Sequence, residues 1–317
     1  MKKCFSALLI VFLLLWYLPS CRLTEARETN LDICGVRYQI LLSPGISSAY
    51  SDEDLSFAAS PGEGHSIDLS GLKGCTAIHT LSFRLYEKAA KIVVPYLPEL
   101  DMIRVECPYT DTFSFDEPND NVSIVFTGLL KNYTSTRTPE RFVFEGGFDP
   151  SAFSQGQRIK DLELWKVTDL AAVRSLSPMR LTLNGTGWDL VGLQGWDLDT
   201  LVLEGDPLAD LSPVSEGSIR SLILHSAPSL RGLEKSGIET LQISDSVTKD
   251  VSSLPEIGSL KTLILLVEET ESNRHCVFTD SAAYRDSPPD TPLDPEILLA
   301  FLAKGGVIET IVRISQS

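Results

Sequence analysis

Ile159-Lys160-Asp161-Leu162-Glu163-Leu164 sets a pattern that returns four more times in full. The copies are Leu198-x-x-Leu201-x-Leu203, Ile219-x-x-Leu222-x-Leu224, Ile238-x-x-Leu241-x-Ile243 and Leu260-x-x-Leu263-x-Leu265. A sixth copy ends in Leu181 and Leu183, with Pro178 in its first slot. Seventeen of these eighteen positions are aliphatic, where a hydrophobic content of 43% would place about eight. The central leucines, from Leu162 through Leu181, Leu201, Leu222 and Leu241 to Leu263, are 19, 20, 21, 19 and 22 residues apart. A second apolar pair keeps the same time. Leu170/Val173, Leu190/Leu193, Leu211/Val214 and Leu230/Leu233 each fall eleven and eight residues before the next central leucine.

The two spacings predict two elements. Side chains two apart leave the same face of a strand, so each L-x-L is a short strand with both leucines turned inward. A pair three apart suits one turn of 3₁₀- or α-helix, or a tight loop, returning over the same core. One such coil cannot bury its own apolar face, so coils stack and share a continuous core. Gly185, Gly187, Gly205, Pro207, Pro228, Gly232, Gly237 and Pro255 punctuate the turns. Upstream, Ile78-x-x-Leu81-x-Phe83 and Leu100-x-x-Ile103-x-Val105 fit the pattern, while Ile124/Phe126 and Phe142/Phe144 fit its L-x-L half. The expected fold is an α/β or mainly-β solenoid: about ten coils of about 20 residues, with short parallel strands.

These motifs resemble the leucine-rich repeat family, and Leu208-Ala209-Asp210-Leu211-Ser212-Pro213-Val214 is similar to the internalin-type bacterial repeats. The strong resemblance covers about residues 159–266 and implies a curved stack. The family's Asn, whose side chain normally bonds backbone along the turn, is missing; its slot holds Val167, Thr186, Asp206, Ala227 and Ser246. Residues 67–270 are read as the repeat domain and 34–66 as an N-terminal cap. Residues 271–317 are read as a C-terminal loop and helix–strand cap. There Asp294-Pro295-Glu296 has the order of N-cap, N1 proline and first-turn acid ahead of a short helix, Ile297 to Lys304. Gly305-Gly306 stops that helix, Ile308 to Ile314 forms a closing strand, and polar residues 268–292 form a loop.

Outward from the repeat, the first twenty-one residues give the address. Lys2 and Lys3 precede an uncharged apolar run from Phe5 to Leu18. Fourteen residues of helix span about 21 Å, short of the ~30 Å hydrocarbon core, so residues 1–20 read as a secretory signal. Leu18-Pro19-Ser20-Cys21 resembles the lipobox of bacterial lipoproteins, which implies lipidation (palmitate and related chains) at Cys21 and a tether over 21–33. Arg22 after the cysteine, by the same resemblance, points to the outer membrane. Cleavage after Ala26 is the alternative. The sequons at Asn121, Asn132 and Asn184 would suit a secreted eukaryotic protein instead.

The net charge is −16, and loss of Lys2 and Lys3 with the signal makes it −18. That sign opposes nucleic-acid binding. Four cysteines remain past Cys21; Cys34 with Cys75 is one pairing an oxidising compartment would permit, and four buried free thiols is the other reading. The spacings offer no zinc site, and His65, His79, His225 and His275 form no His-x-x-x-His or His-Glu-x-x-His motif. No nucleophile elbow or phosphate loop occurs, so no catalytic residue and no cofactor is assigned. The acidic runs at Asp52-Glu53-Asp54 and Asp116 to Asp120 lack the ligand order of a calcium loop.

A protein partner would meet the concave strand face. Register places Glu163, Thr182, Val202, Ile223, Gln242 and Ile264 between the inward residues of successive strands. Trp165, Asn184, Glu204, His225, Ser244 and Leu266 follow them. Trp165, Val202, Ile223, His225, Ile264 and Leu266 are the expected contacts, since apolar residues on an acidic surface suit a partner. Simple strand propensity, or covering by residues 268–292, explains them equally. His225 and Glu204, one coil apart, would serve an envelope hydrolase; self-association is the remaining alternative.

Overall fold

A computed structural model of the protein describes residues 26–313, apart from 60–63, 118–120, 136, 155, 167–168, 206–209 and 270–274. The signal segment, Cys21, the repeat slots Val167 and Asp206, and Leu208-Ala209 lie outside the described residues. The chain is mainly β, with two mostly parallel sheets and few helices.

The N-terminal half alternates between the sheets. Its strands are β1 (Arg27–Ile33), β2 (Val36–Leu42), β3 (Ile46–Ser51), β4 (Asp54–Ala59), β5 (His65–Asp68), β6 (Thr80–Arg84), β7 (Ala89–Val94), β8 (Met102–Glu106), β9 (Tyr109–Phe115), β10 (Ser123–Phe126), β11 (Leu129–Thr134) and β12 (Arg141–Gly147). Thereafter every strand belongs to the larger sheet: β13 (Asp161–Lys166), β14 (Arg180–Asn184), β15 (Asp197–Glu204), β16 (Ser218–Leu224), β17 (Thr240–Ser244), β18 (Thr262–Glu268), β19 (Cys276–Phe278) and β20 (Val307–Arg313). The smaller sheet has six strands, in the order β1-β2-β5-β7-β9-β11. The larger has fourteen, running β19-β20-β18-β17-β16-β15-β14-β13-β12-β10-β8-β6-β4-β3.

Register in the larger sheet follows the sequence pattern. Leu55 pairs with Leu81, then Ile103, Ile124, Phe142, Leu162, Leu181, Leu201, Leu222, Leu241, Leu263 and finally Ile308. All of these side chains are buried. The parallel pairing therefore starts at Leu55, inside the segment expected to be a cap, where Ser51 and Asp54 close the β3–β4 hairpin.

What changes along the chain is the return. Ala89–Val94 and Tyr109–Phe115 are rich in β-branched and aromatic residues, and they form strands of the second sheet. Ile67, Ile92, Phe113 and Tyr133 line its inner face in register. Beyond β12 the return carries apolar residues three apart and becomes a helical turn: Leu170–Val173, Leu190–Leu193, Ser212–Ser215 and Leu254–Glu256. Aromatic rings fill the change-over. Phe142 stands edge-on to Phe153, with centroids 5.4 Å apart, and to Tyr133 at 5.2 Å. Tyr133 donates to the Arg137 carbonyl at 2.9 Å.

Aspartates cap the returns. Asp149, Asp169, Asp189, Asp210 and Asp250 each accept from a backbone amide two or three residues on. Ser229 holds the same slot, accepting from Arg231 and donating to Asp250.

Two segments differ from expectation. Arg27–Ile33, assigned to the lipid tether, is a strand, because its alternating Leu31 and Ile33 reach the core. Residues 268–292, assigned to a loop, include β19 and the helix Ser281–Asp286, whose N-terminus Asp280 caps. The C-terminal helix runs Pro295–Ala303 with Asp294 accepting from Glu296, as the sequence indicates, and β20 closes the sheet.

The Cys34–Cys75 staple is not formed; all four described cysteines are free thiols. Cys34 sits with Gly35 in a two-residue turn, φ 52° and 78°, as a type I′ hairpin requires. Its exposed sulfur meets the Tyr50 hydroxyl at 3.5 Å, whereas Cys75 is buried. A brief maleimide pulse on the native protein will label Cys34 well ahead of Cys75 and Cys107, which become reactive on denaturation; mass spectrometry of the peptides reads this out.

Corners are as tightly stacked as the strands. A Cβ on Gly128 would lie 1.6 Å from the Cys107 carbonyl oxygen, so the two corners touch through backbone. Gly128→Ala is expected to cost about 1–3 kcal/mol or more. Gly258→Ala, with nothing within 4 Å, should stay within about 0.5 kcal/mol. Urea midpoints of the two variants compare them directly.

Candidate functional site

The face of the fourteen-stranded sheet opposite the core is built from residues that alternate with the inward columns. Its centre carries a cross-strand ladder of opposite charges. Arg141, Asp161 and Arg180 are direct partners on β12, β13 and β14. Arg141 Nη2 donates to Glu163 Oε2 at 2.6 Å, and its Nε lies 4.0 Å from Asp161 Oδ2. Arg180 Nε approaches the same oxygen at 3.9 Å. Trp165 Nε1 donates to Glu163 Oε1 at 2.7 Å, so both oxygens of one carboxylate are engaged and the indole is held in place. Glu204 accepts from Asn184 Nδ2 at 3.3 Å and faces His225 Nε2 at 3.6 Å.

Arg141, Asp161, Glu163, Arg180, Thr182 and Glu204 line a cleft of about 540 Å³. Thr182 and Val202 lie buried beside each other on β14 and β15. Toward the N-terminus the charge pairing continues with Arg104 and Glu145 at 3.6 Å and Arg84 and Glu106 at 2.8 Å. The cleft thus offers guanidinium donors and carboxylate acceptors.

Asp161 is the unusual group. Its Oδ1 is buried and makes no hydrogen bond among the described residues, and burial holds its carboxyl above the ordinary range despite Arg141 and Arg180.

The sequence-derived contacts do not form one patch. Trp165, 40% exposed, stands beside the charged cleft. Val202 is only 2% exposed: a short side chain between Thr182 and Ile223, it offers a partner no surface. Ile223 and Ile264 are half-buried and separated by Gln242. Leu266, also half-buried, adjoins the exposed Ile311 of β20. His225 and Glu204 are neighbours as register indicates, both about one-third exposed. The segment expected to cover this end instead extends the sheet through β19, while His275 reaches Glu309 at 2.9 Å.

Arg141, Asp161 and Arg180 were missed as a site, although their charges alternate in one slot of three successive repeats. Among the described residues no three His, Cys, Asp or Glu side chains gather to hold a metal ion, and no helix is long and apolar enough to cross a membrane. No protein-family model, no curated protein and no solved structure matches the chain.

Ionising Asp161 costs stability as pH rises from its unfolded value through its higher folded one, and the cost is relieved as pH falls. Asp161→Asn should therefore be at least as stable as the parent at neutral pH, and the difference should shrink toward about pH 3. Urea midpoints across that range test this; a large loss for the variant at neutral pH would mean that pairing with the arginines dominates.

Proposed function

We propose that this chain is an exported leucine-rich repeat solenoid, anchored through a lipid on Cys21 at a bacterial cell envelope. Outer-membrane placement follows from Arg22 in the lipobox resemblance. The protein acts as a non-enzymatic binding module, in adhesion or partner recognition, and the open face of its large sheet takes a protein partner. Support for the repeat assignment comes from the unbroken parallel register and from returns of two kinds over one core.

The observation that carries the binding reading is the Trp165 platform. Its indole is exposed yet tied to Glu163, which is tied in turn to Arg141, beside a cleft of fixed polar groups. Trp and Arg are the side chains most enriched among energetic anchors, and anchors that are already positioned lose little freedom on binding. Ile223, Ile264 and Leu266 supply a second, apolar contact toward the C-terminal strands.

The hydrolase alternative would draw on His225 and Glu204, whose Nε2 and Oε1 lie 3.6 Å apart. Both side chains are about one-third exposed, and Glu204 also accepts from Asn184 Nδ2, which suits two solvated neighbours rather than an enclosed catalytic pair. Binding is the better-supported reading.

The test is affinity capture from envelope and host-surface extracts with protein beginning at Arg22, beside Trp165→Ala and Ile223→Arg. The expected result is a retained protein whose affinity falls roughly thirtyfold or more with Trp165→Ala, the size of an interface anchor. Thermal melts confirm that both variants are folded. Equal retention by parent and both folded variants would remove the open face from the binding reaction.

A further inference from the structure

A second groove follows the edge of the large sheet where the strands begin, away from the open face. Two adjoining clefts, of about 730 and 590 Å³, share Arg158, Ser177 and Met179 as a common wall. Apart from Asn121 ahead of β10, their lining runs from the chain ahead of β12 to that ahead of β17. Five strand spacings of about 4.8 Å make the groove about 24 Å long, the reach of about seven residues of extended peptide.

Its charges are not spread evenly. Some bases are matched by acids: Lys160 pairs with Glu140, and Arg220 with Asp199 and Glu239. Arg137, on the connection that carries Glu140, Arg158, on the one that carries Lys160, and Arg174, on the next, make no ion pair among the described residues; Asp197 is the one lining carboxylate outside the pairs. On a chain with 43 acids and 27 bases, three such arginines on successive connections along one groove are a specific arrangement. Arg174 is also held in place. Its Nη2 donates to the Gly195 carbonyl at 2.6 Å, and its two terminal nitrogens lie 3.6 and 3.8 Å from where a Gly195 Cβ would stand.

Ser177 adds a second sign. It ends the helical turn Arg174–Leu176 with φ 43°, a left-handed conformation in which glycine would be cheaper. In its place stands a serine that lines both clefts. Met179, 55% exposed, lies beside it as the apolar element. The amides of Met179, Arg180, Asp199 and Thr200 are already bonded to carbonyls of the preceding strand connections, which leaves the arginine side chains as the charged donors.

We propose that this groove binds an extended acidic peptide segment of a partner protein, with consecutive carboxylates over Arg137, Arg158 and Arg174 and an apolar residue on Met179. Guanidinium forks donate and do not accept, which selects carboxylates. A polyphosphate chain along the groove would also carry charge onto Asp197, Asp199 and Glu239 beyond Arg174; a peptide acidic only over the arginines avoids them. The overall charge of −16 does not prevent this, because screening limits distant carboxylates to about 8 Å at physiological salt.

The experiment is fluorescence anisotropy of a labelled peptide of about eight residues, neutral at its ends, with three central glutamates and one leucine, added to the full mature chain. Saturable binding that weakens with salt is expected. Arg158→Glu should lower the affinity by at least roughly tenfold, as should replacing the glutamates by glutamine, while Arg285→Glu outside the groove should not. Ser177→Gly should raise Tm and weaken binding, an opposition that a purely structural serine would not produce. Should Arg158→Glu fail to fold, Arg158→Ala and Arg174→Ala carry the same comparison. Glutamine peptide binding as tightly, an oligonucleotide binding better than the peptide, or no binding at about 1 mM would each overturn the proposal. None of these outcomes depends on the open face.

Discussion

Twelve strands of the large sheet must put the same slot of the repeat onto one buried column, from Leu55 to Ile308. A shift of one residue would turn inward apolar side chains to solvent and bring the outward set, Asp161, Glu163 and Arg180 among it, inward, because side chains alternate along a strand. That requirement fixes the parallel pairing and the stacking of corners, and through them the two outer surfaces. The neighbouring column runs from Phe57 to Leu265 and then meets Thr310, which is buried and accepts from the Cys276 amide. A polar residue there is tolerated because β19, the antiparallel last strand, brings the donor to it.

The same alternation that buries the leucines lines up unlike charges on the other side. Arg141, Asp161 and Arg180 stand in adjacent strands, and the short distances within the ladder leave Asp161 short of water. Desolvation and attraction oppose each other there, and desolvation is the larger. At the returns the balance is reversed. Hydrogen bonds from Ser212 and Ser252 hold Asp210 and Asp250 below the ordinary carboxylate range, so these caps contribute stability at neutral pH and lose it as pH falls through their lowered values. Asp161 and these caps therefore respond to acid in opposite directions.

Much of the architecture was legible in the sequence because a repeat states each rule several times. The L-x-L slots, the apolar pair three residues apart and the Asp294 cap each follow from local spacing. The second sheet was not legible. Its strands Ala89–Val94 and Tyr109–Phe115 occupy returns whose apolar residues match neither repeat template. Val202 was misjudged because register tells which way a side chain points but not how far its neighbours rise around it. The aspartate caps stood in plain view at 149, 169, 189, 210 and 250, hidden by a search for the asparagine of a different turn. The arginine groove has no local signature, since Arg137, Arg158 and Arg174 belong to three different coils.

The distance from one central residue to the next is 18 residues between Ile124 and Phe142, 26 between Leu55 and Leu81, and 45 between Leu263 and Ile308. In the last interval a strand and two helices are accommodated, yet Ile308 still pairs directly with Leu263. Length polymorphism is therefore confined to one side of the molecule. Insertions and deletions in the returns leave the spacing of neighbouring strands unchanged, so a lineage could remodel the back of this protein extensively while the geometry presented by its front stayed fixed.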